Sequence, residues 1–185
     1  MAEITRKELI LALVPAGATP RLSGVDLTAL DMTRLDMNGS NLRGSKLAAA
    51  TLREAILRNS NCSYTDFQSA LLVGTDFDGA NLTGANLSGA NLSSARLTNA
   101  NLSGATLNSA NLTGANMSGA KIDGLRFNES TTWPDGKKGS QGNPNDYISA
   151  IQRPYAHTER APSGARFAFL SGTLASASRR YVRLA

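Results

Sequence analysis

Every fifth residue from Leu22 to Phe127 is apolar, without a break. The series runs Leu22, Leu27, Met32, Met37, Leu42, Leu47, Leu52, Leu57, Cys62, Phe67, Leu72 and Phe77, then through Leu82, Leu102 and Met117 to Ile122 and Phe127. All 22 positions obey the rule in a chain that is 41% apolar. Chance would give this with a probability of roughly 10⁻⁹, so an internal repeat governs everything else. Two residues before each of these positions the side chain is small: Ala twelve times, Ser or Thr five times. The exceptions, Pro20, Val25, Leu30, Leu35 and Leu125, lie near the two ends. A period of five matches neither the 3.6 of a helix nor the 2 of a strand. Gly, Ser, Thr and Asn at most other positions also make a poor helix. The pattern predicts short extended pieces joined by regular corners, wound into a coil that stacks on itself. Each large apolar residue then points to the axis, and each Ala fills the narrow space beside it.

Units such as Ala80-Asn81-Leu82-Thr83-Gly84, Ala85-Asn86-Leu87-Ser88-Gly89 and Ala110-Asn111-Leu112-Thr113-Gly114 resemble the pentapeptide-repeat family, whose unit reads A(D/N)LXX. The resemblance covers residues 20–128. It implies an all-β solenoid, a right-handed quadrilateral parallel β-helix with four pentapeptides to a coil. With four sides, residues twenty apart stack, which predicts a core column of Leu22, Leu42, Cys62, Leu82, Leu102 and Ile122. A second column runs through Leu27, Leu47, Phe67, Leu87, Leu107 and Phe127. Such columns bury together what no single coil could bury alone. Outside, Asn41, Asn61, Asn81 and Asn101 are expected to form a structural ladder, joined coil to coil through their amides.

The flanks read as covers for the two ends. Residues 1–19 predict an N-terminal capping helix: Thr5-Arg6-Lys7-Glu8 fits a capping box, and Leu9, Ile10, Leu13 and Val14 give an apolar face. Leu30 and Leu35 are candidates to pack beneath it. Residues 129–185 predict an exit turn at Thr132-Trp133-Pro134-Asp135-Gly136, with Trp133 over the end of the core. Lys137 to Asn143 is a Gly-rich linker without the spacing of a phosphate-binding loop. Asn143-Pro144 opens a short helix with Tyr147, Ile148 and Ile151 on one face, ended by Arg153-Pro154. That helix is expected to cap the stack or to mediate a homodimer. Beyond it, residues 155–185 form a basic tail in which Phe167, Phe169, Leu170, Tyr181 and Val182 point to docking.

Charge changes this picture little. The net +5 is carried by the tail at +4, whereas the repeats carry nine basic and eight acidic residues. Asp26, Asp31 and Asp36 fall on three successive sides, as do Arg43, Arg53 and Arg58 on different faces, so both sets read as solvated surface. Cys62, the single cysteine, occupies an interior position and reads as a buried, inert thiol. No apolar run is long enough to span a membrane. Leu9 to Val14 is too short for a signal peptide, and a cytoplasmic location is expected.

Chemistry is not indicated. His157 is the only histidine and sits in the irregular tail. No paired carboxylates stand at an acid–base spacing, and no metal-ligand spacing occurs, so the expectation is a protein that is not an enzyme and holds no cofactor or metal. The departure that stands out is apolar: Ile56 and Leu71 replace the usual outward Asp or Asn, and Val73 also faces out. These three residues, Leu71 and Val73 sharing a side and Ile56 near the adjoining corner about one coil earlier, are the candidate patch for an unidentified protein partner. The expected role is a non-catalytic protein–protein interaction scaffold. The alternative implied by the resemblance is a DNA gyrase or topoisomerase modulator of the quinolone-resistance type, acting by DNA mimicry. Against it stand the weakly charged repeats and the lack of a loop interrupting them. Nucleic-acid binding through the basic tail ranks third, since no recognised binding motif accompanies it.

Overall fold

The structure is a computed structural model, which describes residues 5, 7–10 and 20–149. Within 20–149 the backbone winds into coils of twenty residues, each joined to the next by parallel bridges. They run from Arg21↔Asn41 to Arg96↔Asn116, Thr106↔Arg126 and Asn111↔Thr132. Four bridging residues per coil, five apart, give four sides. We label these A to D by their first inward residues: Leu22 on A, Leu27 on B, Met32 on C and Met37 on D.

One unit shows why five residues suffice. Asn81 N donates to Ser60 O of the coil before (2.9 Å), and Leu82 N and Gly84 N donate to Asn101 O and Ser103 O of the coil after (2.8 and 2.9 Å). Ala85 N closes the corner on Leu82 O at 3.0 Å. The remaining donor, Thr83 N, is taken by Asn81 Oδ1 at 3.1 Å. Every buried-side N–H is thereby satisfied, as a stacked backbone requires. The Asn or Asp before the inward residue therefore caps its own corner, as Asp26, Asn61, Asn91 and Asn116 also do. This corrects the expectation of an amide ladder along side A: Asn41, Asn61, Asn81 and Asn101 each spend Oδ1 on the N–H two residues on. A direct coil-to-coil amide bond does occur on side B, from Asn86 Nδ2 to Asp66 Oδ1 at 3.0 Å.

The last residue of each unit, from Gly24 to Gly124, has φ between 53° and 73°. A positive φ at the third residue of a hydrogen-bonded turn is the type II signature and favours Gly. Non-glycine residues nonetheless occupy ten of these corners, among them Ala29, Arg34, Ala49, Glu54 and Tyr64.

The inward columns form one core. Leu42, Cys62, Leu82 and Leu102 are fully buried and Leu22 nearly so, whereas Ile122 is only partly buried because side A has no further coil beneath it. Phe67 and Phe77 meet edge to face at 5.9 Å inside the stack. Beside them the alanine column is also buried, and its hydroxyls donate to carbonyls at every such position except Ser40. Thr65 donates to Leu42 O, Thr75 to Leu52 O and Ser60 to Leu57 O, each at 2.7 Å.

At the N-terminal end, Thr5 N donates to Glu8 Oε2 (2.7 Å) and Glu8 N to Thr5 Oγ1 (3.3 Å), the reciprocal bonds of a capping box. Residues 7–10 are helical and Leu9 is buried in the same core cluster as Leu22, with Leu30 and Leu35 packed against it. Leu13 and Val14 lie outside the described residues.

The C-terminal end holds the larger surprise. The spacing of five stops at Phe127, but the coil does not. One extra residue is accommodated at Asn128–Thr131, and Trp133 then enters side C beneath Leu112. Asn128 Oδ1 absorbs the shift, accepting from Ser109 N (2.8 Å) and Ser130 N (3.1 Å). Thr131 Oγ1 donates to Leu107 O (2.7 Å), as Thr65 and Thr75 do in regular coils. Trp133 is fully buried, so it belongs to the core column and does not merely lie over its end. It stands edge-on to Phe127 (5.0 Å) and stacks on Tyr147 (5.8 Å).

Lys137 to Asn143 is correspondingly not a loose linker. Trp133 Nε1 donates to Gly139 O at 2.7 Å, and a Cβ on Gly142 would fall 2.3 Å from Trp133 Cδ1. A 3-10 turn, Gly139–Gln141, leads to a single helical turn, Asn145–Ile148, entered with Asn143 Oδ1 accepting from Asn145 N. The helix is shorter than expected, because Ser149 adopts an extended backbone and Ile148 O instead accepts from Gly119 N of side D. Ile151, Arg153, His157 and the basic tail lie outside the described residues.

Candidate functional site

The three residues of the expected patch lie as their spacing implies, two on one side of the coil and one on the adjoining side. Leu71 bridges Thr51 and Asn91 on side C, with Val73 two residues on, and both are half-buried. Ile56 is also half-buried but bridges Asp36 and Asp76 on side D. The bridging side chains of Leu71 and Ile56 are flanked by the coils above and below, which is why neither stands clear of the surface. The structure thus brings Leu71 and Val73 to one side and places Ile56 on the next, among charges.

Those charges are matched to one another. Arg58 Nε lies 2.5 Å from Asp76 Oδ2, and Arg96 reaches both Asp76 (3.6 Å) and Asp78 (3.1 Å). The Thr98 hydroxyl donates to Asp78, and this bond, helped by the Arg96 charge, holds the Asp78 carboxyl below the ordinary carboxylate range. On side C, Arg34 Nε is 2.7 Å from Glu54, whose carboxyl that bond likewise lowers. The bridging aspartates serve as corner caps: Asp26, Asp31, Asp36, Asp66 and Asp76 each accept from the N–H two residues on.

Side A is built differently, and sequence reasoning missed it. Its corner column reads Gly24, Gly44, Tyr64, Gly84, Gly104 and Gly124. Tyr64 is the one departure and stands 61% exposed, the most exposed large apolar side chain among the described residues. Its φ of 57° is one that a side chain disfavours. The ring lies over Gly84, where an added Cβ would come 2.7 Å from Tyr64 Cε1. The Arg43 guanidinium sits 5.8 Å from the ring centroid, within reach of a cation–π contact. Writing the chain in rows of twenty would have exposed this signal: one aromatic in a column of glycines.

Cys62 sits fully buried with Ser60 Oγ 3.2 Å from its sulfur. Burial pushes its thiol up to about 12, with the Ser60 contact opposing only weakly, so little thiolate forms. Among the described residues no three His, Cys, Asp or Glu side chains gather as a metal-holding group, and no helix is long and apolar enough to cross a membrane.

The geometry can be set against known proteins. A search among proteins of curated function finds no match. Of solved structures, a pentapeptide repeat protein from Nostoc PCC 7120 is similar at 26% identity over 66% of this chain and 95% of its own, with a TM-score of 0.50. One from the cyanobacterium Cyanothece 51142 shares 29% identity over 69% and 99% of the two chains, with a TM-score of 0.36. The plasmid-mediated fluoroquinolone resistance protein QnrB1 shares 19% over 60% and 68%, with a TM-score of 0.28, and this likeness carries no argument about a target. The profile described as "Pentapeptide repeats" matches residues 21–59, 60–99 and 95–131, with 8 copies. These spans take in the stacked coils and the irregular turn that seats Trp133. By that match across more than half its length, and by its four-sided stack of five-residue units, the chain belongs to the pentapeptide-repeat family.

Proposed function

We propose that this protein is a non-catalytic scaffold that binds a protein partner through one side of its coil stack. The observation that carries the reading is Tyr64: a large aromatic, 61% exposed, held at a corner whose backbone favours glycine. Tyr and Arg are the side chains that most often anchor protein interfaces, and here they are paired at one corner. The stacked backbone supports them rigidly, since each corner is hydrogen-bonded to both neighbouring coils. Catalysis is disfavoured by the same construction, because most carboxylates of the coils are committed to backbone N–H groups or arginines and the thiol is buried. We take the helical turn around Leu9 and the closure around Trp133 as covers for the two ends of the core.

The test is affinity capture from a lysate of the source organism with full-length protein and two full-length variants. One variant is Tyr64→Gly; the other combines Leu71→Asp and Val73→Asp. Loss of a captured protein with Tyr64→Gly alone supports the reading, and loss with the side C variant alone moves the site to Leu71 and Val73. Recovery of a type II topoisomerase would replace it with the modulator reading. No specific capture by the wild-type protein would refute the scaffold.

A further inference from the structure

We infer that side A binds an acidic, extended segment of a partner protein, with Tyr64 and Arg43 as its anchors. The inference rests on the scaffold reading and adds the chemistry of the partner. It begins from the distribution of charge. Through the first five coils the bridging and corner residues of side A are Arg21, Ser23 and Gly24, then Asn41, Arg43 and Gly44, then Asn61, Ser63 and Tyr64, and after them only Asn, Thr, Ser and Gly up to Gly104. No carboxylate occurs among them. On sides C and D, by contrast, Arg34, Arg58 and Arg96 each hold a carboxylate oxygen within 3.1 Å. Among the described residues Arg43 has no carboxylate partner; it is turned to the Tyr64 ring instead. An arginine with its fork of donors unspent, beside an exposed aromatic face, suits an incoming carboxylate.

The polar residues of side A point to the same ligand. Asn41, Asn61, Asn81 and Asn101 have each committed Oδ1 to their own corner. The Ser63 and Thr83 hydroxyls donate to the same oxygens of Asn61 and Asn81. The amide Nδ2 donors along the side are not so engaged, so the surface offers more open donors than open acceptors. Its match is a ligand of acceptors: carboxylates and peptide carbonyls. Coils stack at about 4.8 Å, so Asn41 to Asn101 spans about 14 Å, the length of roughly four residues of extended chain. Two arginines are too few for a phosphate backbone, whose affinity grows with each phosphate neutralised. A peptide is therefore favoured over nucleic acid.

Fluorescence anisotropy on the full-length protein tests this. The probes are a fluorescein-labelled peptide of ten glutamates and a labelled single-stranded DNA of equal charge, each at low and moderate salt. The proteins are wild type, Arg43→Glu and Tyr64→Gly. Tyr64→Gly completes the glycine column and removes a disfavoured φ, so a loss of binding in it cannot be laid to unfolding. The expected result is that the glutamate peptide binds wild type, about tenfold more weakly to Arg43→Glu and several-fold more weakly to Tyr64→Gly. Unchanged affinity in both variants, no binding to wild type, or preferential binding of the DNA that both variants abolish would each overturn the inference. None of these results touches the scaffold reading, which stands or falls on the capture experiment.

Discussion

The contact between Tyr64 and Gly84 can be weighed by a double-mutant cycle. Adding a methyl group with Gly84→Ala has two effects. The residue keeps φ +65°, which costs a side chain about 1 kcal/mol or somewhat more. The new Cβ also lies 2.7 and 2.8 Å from Tyr64 Cε1 and Cδ1, where unstrained carbons rest at about 3.5–4.0 Å. The ring must move by roughly an ångström. Because Tyr64 is 61% exposed it can swing aside, so the second effect is capped by what the ring gains in place. That gain is its contact with the Gly84 backbone and about 0.5–1 kcal/mol of cation–π attraction to Arg43. Gly84→Ala should therefore destabilise the wild type by about 2 kcal/mol and the Tyr64→Gly protein by about 1 kcal/mol. Urea denaturation of the four proteins measures the difference. A coupling energy below about 0.3 kcal/mol, the ordinary limit of additivity, would show that the ring does not rest on Gly84.

The other expectations concern the core and its closure. Trp133→Ala should cost about 3–5 kcal/mol, as for a core aromatic, measured by urea midpoint; a loss under 1 kcal/mol would mean that Trp133 only covers the end. Cys62 should resist a thiol reagent at pH 8 in the native protein and react on unfolding; stoichiometric labelling within minutes would contradict its burial. The closure should depend on pH at both extremes. Lys137, followed by the Lys137 N–H and Tyr147, holds the Asp135 carboxyl at about 2. Its contribution is complete above the ordinary carboxylate range and fades as pH falls toward 2. Burial, and then the 2.8 Å bond to Asp135, raise Tyr147 to about 12, so its contribution holds below pH 10 and is lost as pH rises toward 12. Trp133, the sole tryptophan, stacks on Tyr147 and reports both transitions by fluorescence. A signal flat from pH 2 to 12 would refute the coupling.

Much of this protein was legible in the sequence because one physical rule is repeated. An inward Leu with a small residue two places before it recurs at every step, so the pattern alone set the period, the coil and the identity of nearly every core residue from Leu22 to Met117. The thiol of Cys62 could be judged inert from its column for the same reason. What the pattern could not supply was which surface atoms bond to one another once the coils are stacked. The Asn and Asp positions look like a ladder when read along a column, yet their oxygens serve their own corners, because the N–H two residues on has no other partner. The spacing alone sets Leu71 and Ile56 on adjoining sides, but that each is half-buried between two coils is decided by the stack.

The end of the stack was decided in three dimensions as well. Trp133 is out of register by one residue, and only the side chain of Asn128, standing in for a backbone carbonyl, lets the coil absorb the insertion. Tyr64 gives the plainest case. Its place in the repeat is a corner like twenty others. The bareness of Gly84 beside it and the reach of Arg43 across it make that corner a candidate site. The sequence determined the coil because burial acts through a fixed local period. The tertiary structure decided the surface, because neighbours there belong to successive coils.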